Sequence, residues 1–269
     1  MGGAERNARK KRQAQTAAGR TVASARASGT DRTKIIVGLV VVLLIAGAVI
    51  GGVLYTNAQK NKTEGQVIQP NSTASAAADY PVRRDGAVVV AGKDGAKVTI
   101  DVYEDFLCPF CGRFETTNAA AVERELQNGA LQVRYHPVAI LNDKSDPAGY
   151  SLDAANAALC AAEAGKFPPY HASLFQSQPE EGARGYDNTQ LTRLGTDLGI
   201  TTPDFPTCIQ SGTFEQQILE AQDKIKETPH LQQDFGNGNK GFGTPTVTVG
   251  ETIVDVTDPA WLDKLLAQA

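Results

Sequence analysis

An uncharged segment near the N-terminus is long enough to cross a membrane, and it limits what the rest of the chain can fold into. Residues 35–55 (IIVGLVVVLLIAGAVIGGVLY) contain no charged side chain. As an α-helix this segment would be about 31 Å long, and the hydrocarbon core of a bilayer is about 30 Å thick. A helix buried in a soluble protein is rarely apolar on every face over such a length. We therefore predict a transmembrane helix over residues 35–55.

The charges on either side of this segment predict its orientation. Residues 1–34 carry nine Lys/Arg and two acids, whereas the nearest bases on the other side are Lys60 and Lys62. The positive-inside rule places such a basic tail in the cytoplasm, where we expect it to be disordered. Signal-peptide cores run to about 7–15 residues, so the longer run favours an uncleaved signal anchor over a cleaved signal. The chain is predicted to be a single-pass protein of the cell membrane with an extracytoplasmic domain.

The charge of the exported part excludes one class of partner. The chain carries −4 in total and residues 1–34 carry +7, which leaves −11 for residues 57–269 because residues 35–56 are uncharged. An acidic domain of this kind is not expected to bind nucleic acid. Export also places its four cysteines where disulfides form and persist.

The exported part divides into a polar segment and one domain. Residues 56–80 contain few large apolar side chains and predict a flexible linker. Residues 81–269 are long enough to bury one sizeable core.

Two cysteines at the start of a predicted helix are typical of dithiol–disulfide exchange. The segment 108-CPFC-111 follows the β-rich run 98–107 and opens a helix over roughly 108–127. Unpaired N–H groups and the helix dipole favour a thiolate on Cys108, which would act as the nucleophile. Cys111, one turn later, would resolve the mixed disulfide.

The alternative for this motif is half of a zinc site, which needs a second pair of Cys or His ligands. Cys160 and Cys208 are 48 residues apart, and the three histidines (His136, His171 and His230) are scattered. The spacing therefore predicts a redox dithiol and no metal site. In an exported protein, Cys160 and Cys208 most simply pair as a structural disulfide; free buried thiols and a second redox pair are the alternatives.

The remaining pattern predicts an α/β domain with a helical block in its middle. Strands 88–91 and 98–103 flank a short turn and suggest a hairpin or two adjacent strands. Strand 131–138 would lie parallel to 98–103 after a right-handed crossover through the helix of the motif. Five helices, a hairpin and a closing helix follow: 147–164, 168–177, 189–199, 204–211, 213–227, then strands 245–250 and 252–256, and helix 259–268. Pro147 in a first turn and a capping box of Thr213 and Gln216 are expected to start two of the helices.

This arrangement resembles the thioredoxin superfamily and, within it, the DsbA-like thiol–disulfide oxidoreductases. The similarity rests on C-P-F-C at 108–111, on helices inserted at about 142–235, and on the tripeptide 243-GTP-245 before the last hairpin. The run Y-E-D-F-L-C-P-F-C looks like the membrane-anchored or secreted members of Gram-positive, especially actinobacterial, bacteria. The resemblance implies a thioredoxin-like fold with a helical insertion and no cofactor.

The resemblance also assigns roles around the dithiol. It implies a cis Thr244–Pro245 bond, with Thr244 facing the dithiol and tuning its potential and substrate release. Well-known DsbA motifs have His between the cysteines, whereas this chain has Pro109 and Phe110.

The acids Glu104 and Asp105 precede Cys108. Either one would raise the pKa of a nearby thiol, or act as the buried proton acceptor used in this superfamily. The alternative for each is a solvated carboxylate at the end of a strand.

Three functions agree with these features. The first is an oxidase that donates the Cys108–Cys111 disulfide to exported proteins with reduced cysteines, and that a membrane protein of the DsbB or VKOR type reoxidises. The second is an extracytoplasmic reductase, for example of apocytochrome cysteines. The third is a non-catalytic module that binds extended peptides as a chaperone.

Overall fold

The first helix contains the predicted membrane segment. In this computed structural model, residues 30–71, 79–236 and 238–269 are described. Helix α1 (Thr30–Lys60) extends beyond residues 35–55 at both ends, and its part from Ile36 to Lys60 is long and apolar enough to cross a membrane. The predicted disordered tail is outside the described residues up to position 29, and residues 30–34 belong to α1.

The segment after α1 is packed, which corrects the prediction of a flexible linker for its described part. Residues 58–269 form one compact unit. Ile68 is buried in its core, and the Thr63 hydroxyl donates a hydrogen bond to the Arg184 carbonyl at 2.7 Å. The Gln190 side-chain amide donates to the Thr63 and Gln66 carbonyls. The polar composition of the segment did not predict these contacts. Its polar groups form hydrogen bonds with the helical insertion, and a sequence does not distinguish such groups from solvated ones.

The sheet confirms the β–α–β unit and corrects one strand pairing. Its six strands lie in the order β1-β2-β4-β3-β7-β8: β1 (Val82–Asp85), β2 (Val88–Ala91), β3 (Val98–Glu104), β4 (Leu131–Pro137), β7 (Thr246–Val249) and β8 (Thr252–Ile253). Strands β3 and β4 are parallel, with helix α2 (Pro109–Asn128) between them in the chain. Strands β7 and β8 form the predicted antiparallel hairpin, and β7 pairs with β3. Two short strands, β5 (Gln233–Asp234) and β6 (Lys240–Gly241), form a separate pair.

The predicted pairing of strands 88–91 and 98–103 is wrong, because β4 lies between β2 and β3. The turn after β2 therefore crosses β4 instead of closing a hairpin. Gly92 makes this crossing possible: its φ is +107°, and a Cβ there would lie 2.6 Å from the Leu131 carbonyl oxygen.

The five predicted helices of the insertion are present, with ends within three residues of the prediction. They are α3 (Tyr150–Glu163), α4 (Phe167–Gln176), α5 (Asn188–Asp197), α6 (Asp204–Gln210) and α7 (Glu215–Glu227). The closing helix α8 spans Trp261–Gln268.

Two predicted helix starts are wrong. Pro147 follows a cis bond from Asp146, and α3 begins only at Tyr150. Helix α7 begins at Glu215 without a side-chain cap, whereas the capping box of the insertion is Asp187 with Gln190 at the start of α5. Residue spacing alone does not show which of two possible capping boxes forms, because tertiary packing decides where each helix begins.

The predicted disulfide joins two helices of the insertion. Cys160 on α3 and Cys208 on α6 are bonded, with their Cα atoms 6.0 Å apart. Helix α3 is rich in alanine and buried on most of its surface, because small side chains allow the neighbouring helices to approach it closely.

Candidate active site

The dithiol lies where β3 gives way to α2. Cys108 is the N-cap residue of α2, with an extended backbone (φ −72°, ψ 117°), and Pro109 occupies the first helical position. Proline suits this position because its fixed φ fits a helix and its missing N–H would have no helical partner. Cys108 and Cys111 are both free thiols and both buried. The predicted placement of the motif at a helix N-terminus is confirmed.

The two thiols have opposite pKa shifts. The pKa of Cys108 is lowered to about 6, chiefly by the neighbouring Cys111 thiol; burial opposes this, and Thr244 and the first N–H groups of α2 assist it. Burial raises the pKa of Cys111 well above its ordinary value, and the Cys108 and Glu104 charges add to the effect. One sulfur is therefore suited to be a thiolate and the other to hold a proton.

The loop before β7 faces the first cysteine. The Thr244–Pro245 bond is cis, and the Cys108 Sγ lies 3.3 Å from the Thr244 carbonyl oxygen. The Thr244 hydroxyl oxygen is buried and has no hydrogen-bond partner among the described residues. Proline has no N–H to donate at this position, so the backbone of Thr244 is what the loop presents to the dithiol.

Neither acid before the motif is a solvated carboxylate, since both side chains are 0% exposed. Asp105 holds the loop together. Its oxygens accept hydrogen bonds from the Leu107 N–H at 2.8 Å, the Leu141 N–H at 2.9 Å and the Ser151 hydroxyl at 2.7 Å. Burial raises the pKa of Asp105, and these hydrogen bonds lower it in part.

Glu104 turns the other way, toward the insertion. Its Oε1 is in hydrogen-bond contact with Nε2 of His171 on α4, and its Oε2 has no partner among the described residues. Burial lowers the pKa of His171, but the charges of Glu104 and Glu115 outweigh it and the net shift is upward. His171 thus contacts an acid whose charge acts on Cys111.

The two residues between the cysteines form the exposed rim of the motif. Phe110 is 61% exposed, and the guanidinium of Arg113 lies 5.4 Å from its ring centroid. Pro109 is exposed beside it. An exposed aromatic ring next to the nucleophile is a suitable contact for an apolar segment of a polypeptide.

Sequence reasoning missed two residues of the site. The Gln178 amide, just after α4, donates to the Phe106 carbonyl at 3.0 Å and to the Cys108 carbonyl at 2.9 Å. Gly112 leaves the space that Gln178 occupies, because a Cβ there would collide with the Gln178 side chain. A glutamine 70 residues from the motif gives no local signal, but a glycine in the first turn of a helix is a detectable anomaly.

Comparison with known proteins agrees with this geometry. The family model described as Thioredoxin matches residues 84–268. The chain belongs to the thioredoxin family. Its inserted helices place it with the DsbA-like thiol–disulfide oxidoreductases of that family, as a solved structure shows: a DsbA from Mycobacterium tuberculosis in its reduced form is 28% identical, with a TM-score of 0.56, over 68% of this chain and 92% of that one.

Two further relatives extend the comparison. The MdbA thiol-disulfide oxidoreductase of Corynebacterium matruchotii shares the fold with a TM-score of 0.58 at 21% identity, over 72% of this chain and 94% of that one. The serine/threonine-protein kinase PknE of Mycobacterium tuberculosis is 32% identical over 197 residues, which are 71% of this chain and 33% of the kinase. The chain thus spans about a third of the length of the curated relatives it matches.

Proposed function

We propose that this thiol–disulfide oxidoreductase is an extracytoplasmic, membrane-anchored oxidase of exported proteins. The observation that supports this direction is the lowered pKa of Cys108, about 6. A thiolate that is stabilised in the reduced form makes the corresponding disulfide a stronger oxidant. The pKa of the corresponding thiol is about 3.5 in DsbA and about 7 in thioredoxin, and the pKa of Cys108 lies between these values. We therefore expect a reduction potential between those of DsbA and thioredoxin.

The reaction is a transfer of the disulfide to a substrate. A substrate thiolate attacks Sγ of Cys108 in the oxidised protein, a mixed disulfide forms, and the Cys108–Cys111 bond breaks. Cys111 leaves and takes up a proton, as its raised pKa favours. A second substrate thiolate then attacks the substrate sulfur of the mixed disulfide and releases Cys108 as a thiolate. The substrate loses two electrons and the protein gains them.

The surroundings of the dithiol suit an extended polypeptide substrate. We propose that Cys108 forms the mixed disulfide, and is the nucleophile when the reduced protein attacks a disulfide. Cys111 is the resolving residue, and Pro109 and Phe110 are apolar contacts. The Thr244–Pro245 loop would pair with the backbone of the substrate. The α1 anchor would hold the domain outside the cytoplasm, where exported proteins arrive with reduced cysteines. A membrane oxidant of the DsbB or VKOR type would accept the electrons.

The reduction potential of Cys108–Cys111 tests the direction. We would equilibrate the full chain, purified in detergent, in glutathione buffers and trap the free thiols. We expect a potential between the about −120 mV of DsbA and the about −270 mV of thioredoxin, and a value at or below that of thioredoxin would contradict the proposal. The variant Cys108→Ser should lose transfer to a reduced peptide completely, and retained transfer would refute the assigned nucleophile.

A reductase is the second candidate, and one observation favours it. Burial raises the pKa of Cys111, the Glu104 charge adds to the effect, and no His between the cysteines offsets it. The redox state of the dithiol in growing cells separates the two: mostly oxidised for a donor of disulfides, and mostly reduced for a reductase.

A further inference from the structure

Three ligand-type side chains from separate elements meet beside the dithiol. Glu104 ends β3, Glu115 lies in the second turn of α2 and His171 lies on α4. One ligand atom from each lies within 4.8 Å of the other two. Glu104 and His171 are buried and Glu115 is half-buried. None of the roles proposed above for an oxidase requires Glu115.

The second carboxylate oxygen of Glu104 is an independent sign that this cluster lacks a ligand. Glu104 is 0% exposed, and its Oε2 has no hydrogen-bond partner among the described residues. An unpaired carboxylate oxygen is expensive to bury, and buried charges are normally paired or coordinate a metal. A divalent cation would give this oxygen a partner, and it would take all three side chains as ligands in their deprotonated forms.

We propose that Glu104, Glu115 and His171 bind a divalent transition-metal cation, for which Zn²⁺ is the probe. One imidazole with two carboxylates is a donor set of the borderline-soft metals, whereas Mg²⁺ and Ca²⁺ prefer oxygen ligands alone. Ligands about 2.1 Å from a tetrahedral zinc ion lie about 3.4 Å from one another, so the widest pair here must close by less than about 1.5 Å. Side-chain rotation supplies movements of this size.

A cavity next to the cluster leaves room for a fourth ligand. It measures about 720 Å³, lies between α2 and α4, and both Glu115 and His171 line it. Three protein ligands with an open position for water form a common zinc arrangement. Glu123 lines the same cavity but is already satisfied, since its oxygens accept hydrogen bonds from the Tyr80 hydroxyl at 2.6 Å and the Gln127 amide at 2.9 Å.

Calorimetric titration of the metal-stripped full chain in detergent tests the proposal. The protein is first oxidised, and thiol titration confirms that Cys108 and Cys111 are closed, because an open dithiol would itself bind zinc. We expect one equivalent of Zn²⁺ to bind. The variants Glu115→Gln and His171→Asn should each weaken binding by about tenfold or more. The matched control Glu123→Gln should bind as the wild type does.

Several results would overturn the assignment. They are the absence of saturable Zn²⁺ binding, equal affinity of the wild type and both ligand variants, or tighter binding of Mg²⁺ or Ca²⁺ than of Zn²⁺. A thermal unfolding scan establishes that each variant is folded. Cobalt substitution of the oxidised wild type gives a readout without any variant: a bound Co²⁺ should show visible d–d bands without sulfur charge transfer, and a spectrum unchanged from free Co²⁺ would refute the site.

Discussion

The two sulfurs of one motif differ because of what each one contacts. Cys108 is the N-cap of α2, where the Cys111 thiol and the first N–H groups of the helix lower its pKa. Cys111 lies one turn deeper, where burial and the Glu104 charge oppose its ionisation. The difference is predictable in part, since a thiol at a helix N-terminus is recognisable from the sequence. The burial of Cys111 and the direction of Glu104 depend on the insertion.

The pH dependence of alkylation tests this asymmetry. The reactive species is the thiolate, and the pKa of Cys108 is about 6, so the rate with iodoacetamide should rise through pH 6 and level off well before pH 8. Cys111 should stay unmodified over this range because its pKa is raised. The rate is measured on the reduced full chain, with mass spectrometry to assign the site. A midpoint near the ordinary value of about 8.5 would contradict the assignment.

The two acids before the motif have different roles that the sequence does not predict. Glu104 and Asp105 are adjacent, and nothing local distinguishes them. Asp105 accepts hydrogen bonds from Leu107 and Leu141 and so fixes the loop, whereas Glu104 reaches α4. Each role is set by a partner distant in the chain. Alternation along β3 predicts only that the two side chains lie on opposite faces of the sheet.

At the scale of elements, local periodicity predicts helices better than it predicts strand neighbours. The five inserted helices have apolar spacing and stop signals within a single segment. Strand β4 lies between β2 and β3 because it pairs in parallel with β3. The paired residues are more than 25 positions apart in the chain, so no local pattern predicts this neighbour. The same limit applies to Gln178, whose contact with the motif exists only once α4 is docked.

The contact between Gly112 and Gln178 should control how the insertion supports the active-site loop. Gly112→Ala places a methyl group where Gln178 lies, so Gln178 should be displaced from the Cys108 and Phe106 carbonyls. We expect the free energy of unfolding to fall by about 1–3 kcal/mol despite the better helix propensity of alanine. Denaturant unfolding of the full chain measures it.

A double-mutant cycle provides the control for this contact. Gln178→Ala alone should also destabilise the protein, because the Phe106 and Cys108 carbonyls each lose a hydrogen bond. Combined with Gly112→Ala, it should cost less than the sum of the two single changes, since both remove the same contact. A strictly additive result would mean that the two residues act independently. An unchanged stability of Gly112→Ala would mean that the glycine is not required by packing.

The disulfide between α3 and α6 should stabilise the insertion without touching the chemistry. The bond closes a loop between residues 48 positions apart, and removing it with Cys160→Ser and Cys208→Ser should lower the free energy of unfolding by about 4 kcal/mol on the loop-entropy account. Denaturant unfolding measures the loss, and the alkylation rate of Cys108 is the control and should stay unchanged. A change in the free energy of unfolding under about 1 kcal/mol would show that the bond does not stabilise the insertion. An altered alkylation rate of Cys108 would show that the bond influences the active site.

At the scale of the whole molecule, composition distinguishes the apolar helix from the folded domain, but it does not predict where the folded domain begins. The apolar run over residues 35–55 lies within a continuous helix, and the thioredoxin-like fold lies within residues 58–269. The segment after the helix is packed through Ile68 and through hydrogen bonds to the insertion. The described part of this polar segment therefore belongs to the fold, and the prediction of a flexible linker is wrong for it. Two adjacent apolar side chains among polar ones, Val67 and Ile68, are too weak a signal to predict such packing.

The orientation of the chain is the prediction on which the proposed oxidase most depends, because exported substrates require an exported dithiol. Nine bases in residues 1–34 against Lys60 and Lys62 on the other side should keep the N-terminus in the cytoplasm. An alkaline phosphatase reporter fused after residue 269 should therefore be active in cells, and the protein should remain with membranes after carbonate washing. Replacing the nine bases by glutamine should reduce reporter activity, whereas Lys60→Gln with Lys62→Gln should not. An inactive reporter on the unaltered chain would place the dithiol in the cytoplasm, where thiols are kept reduced, and would favour the reductase instead.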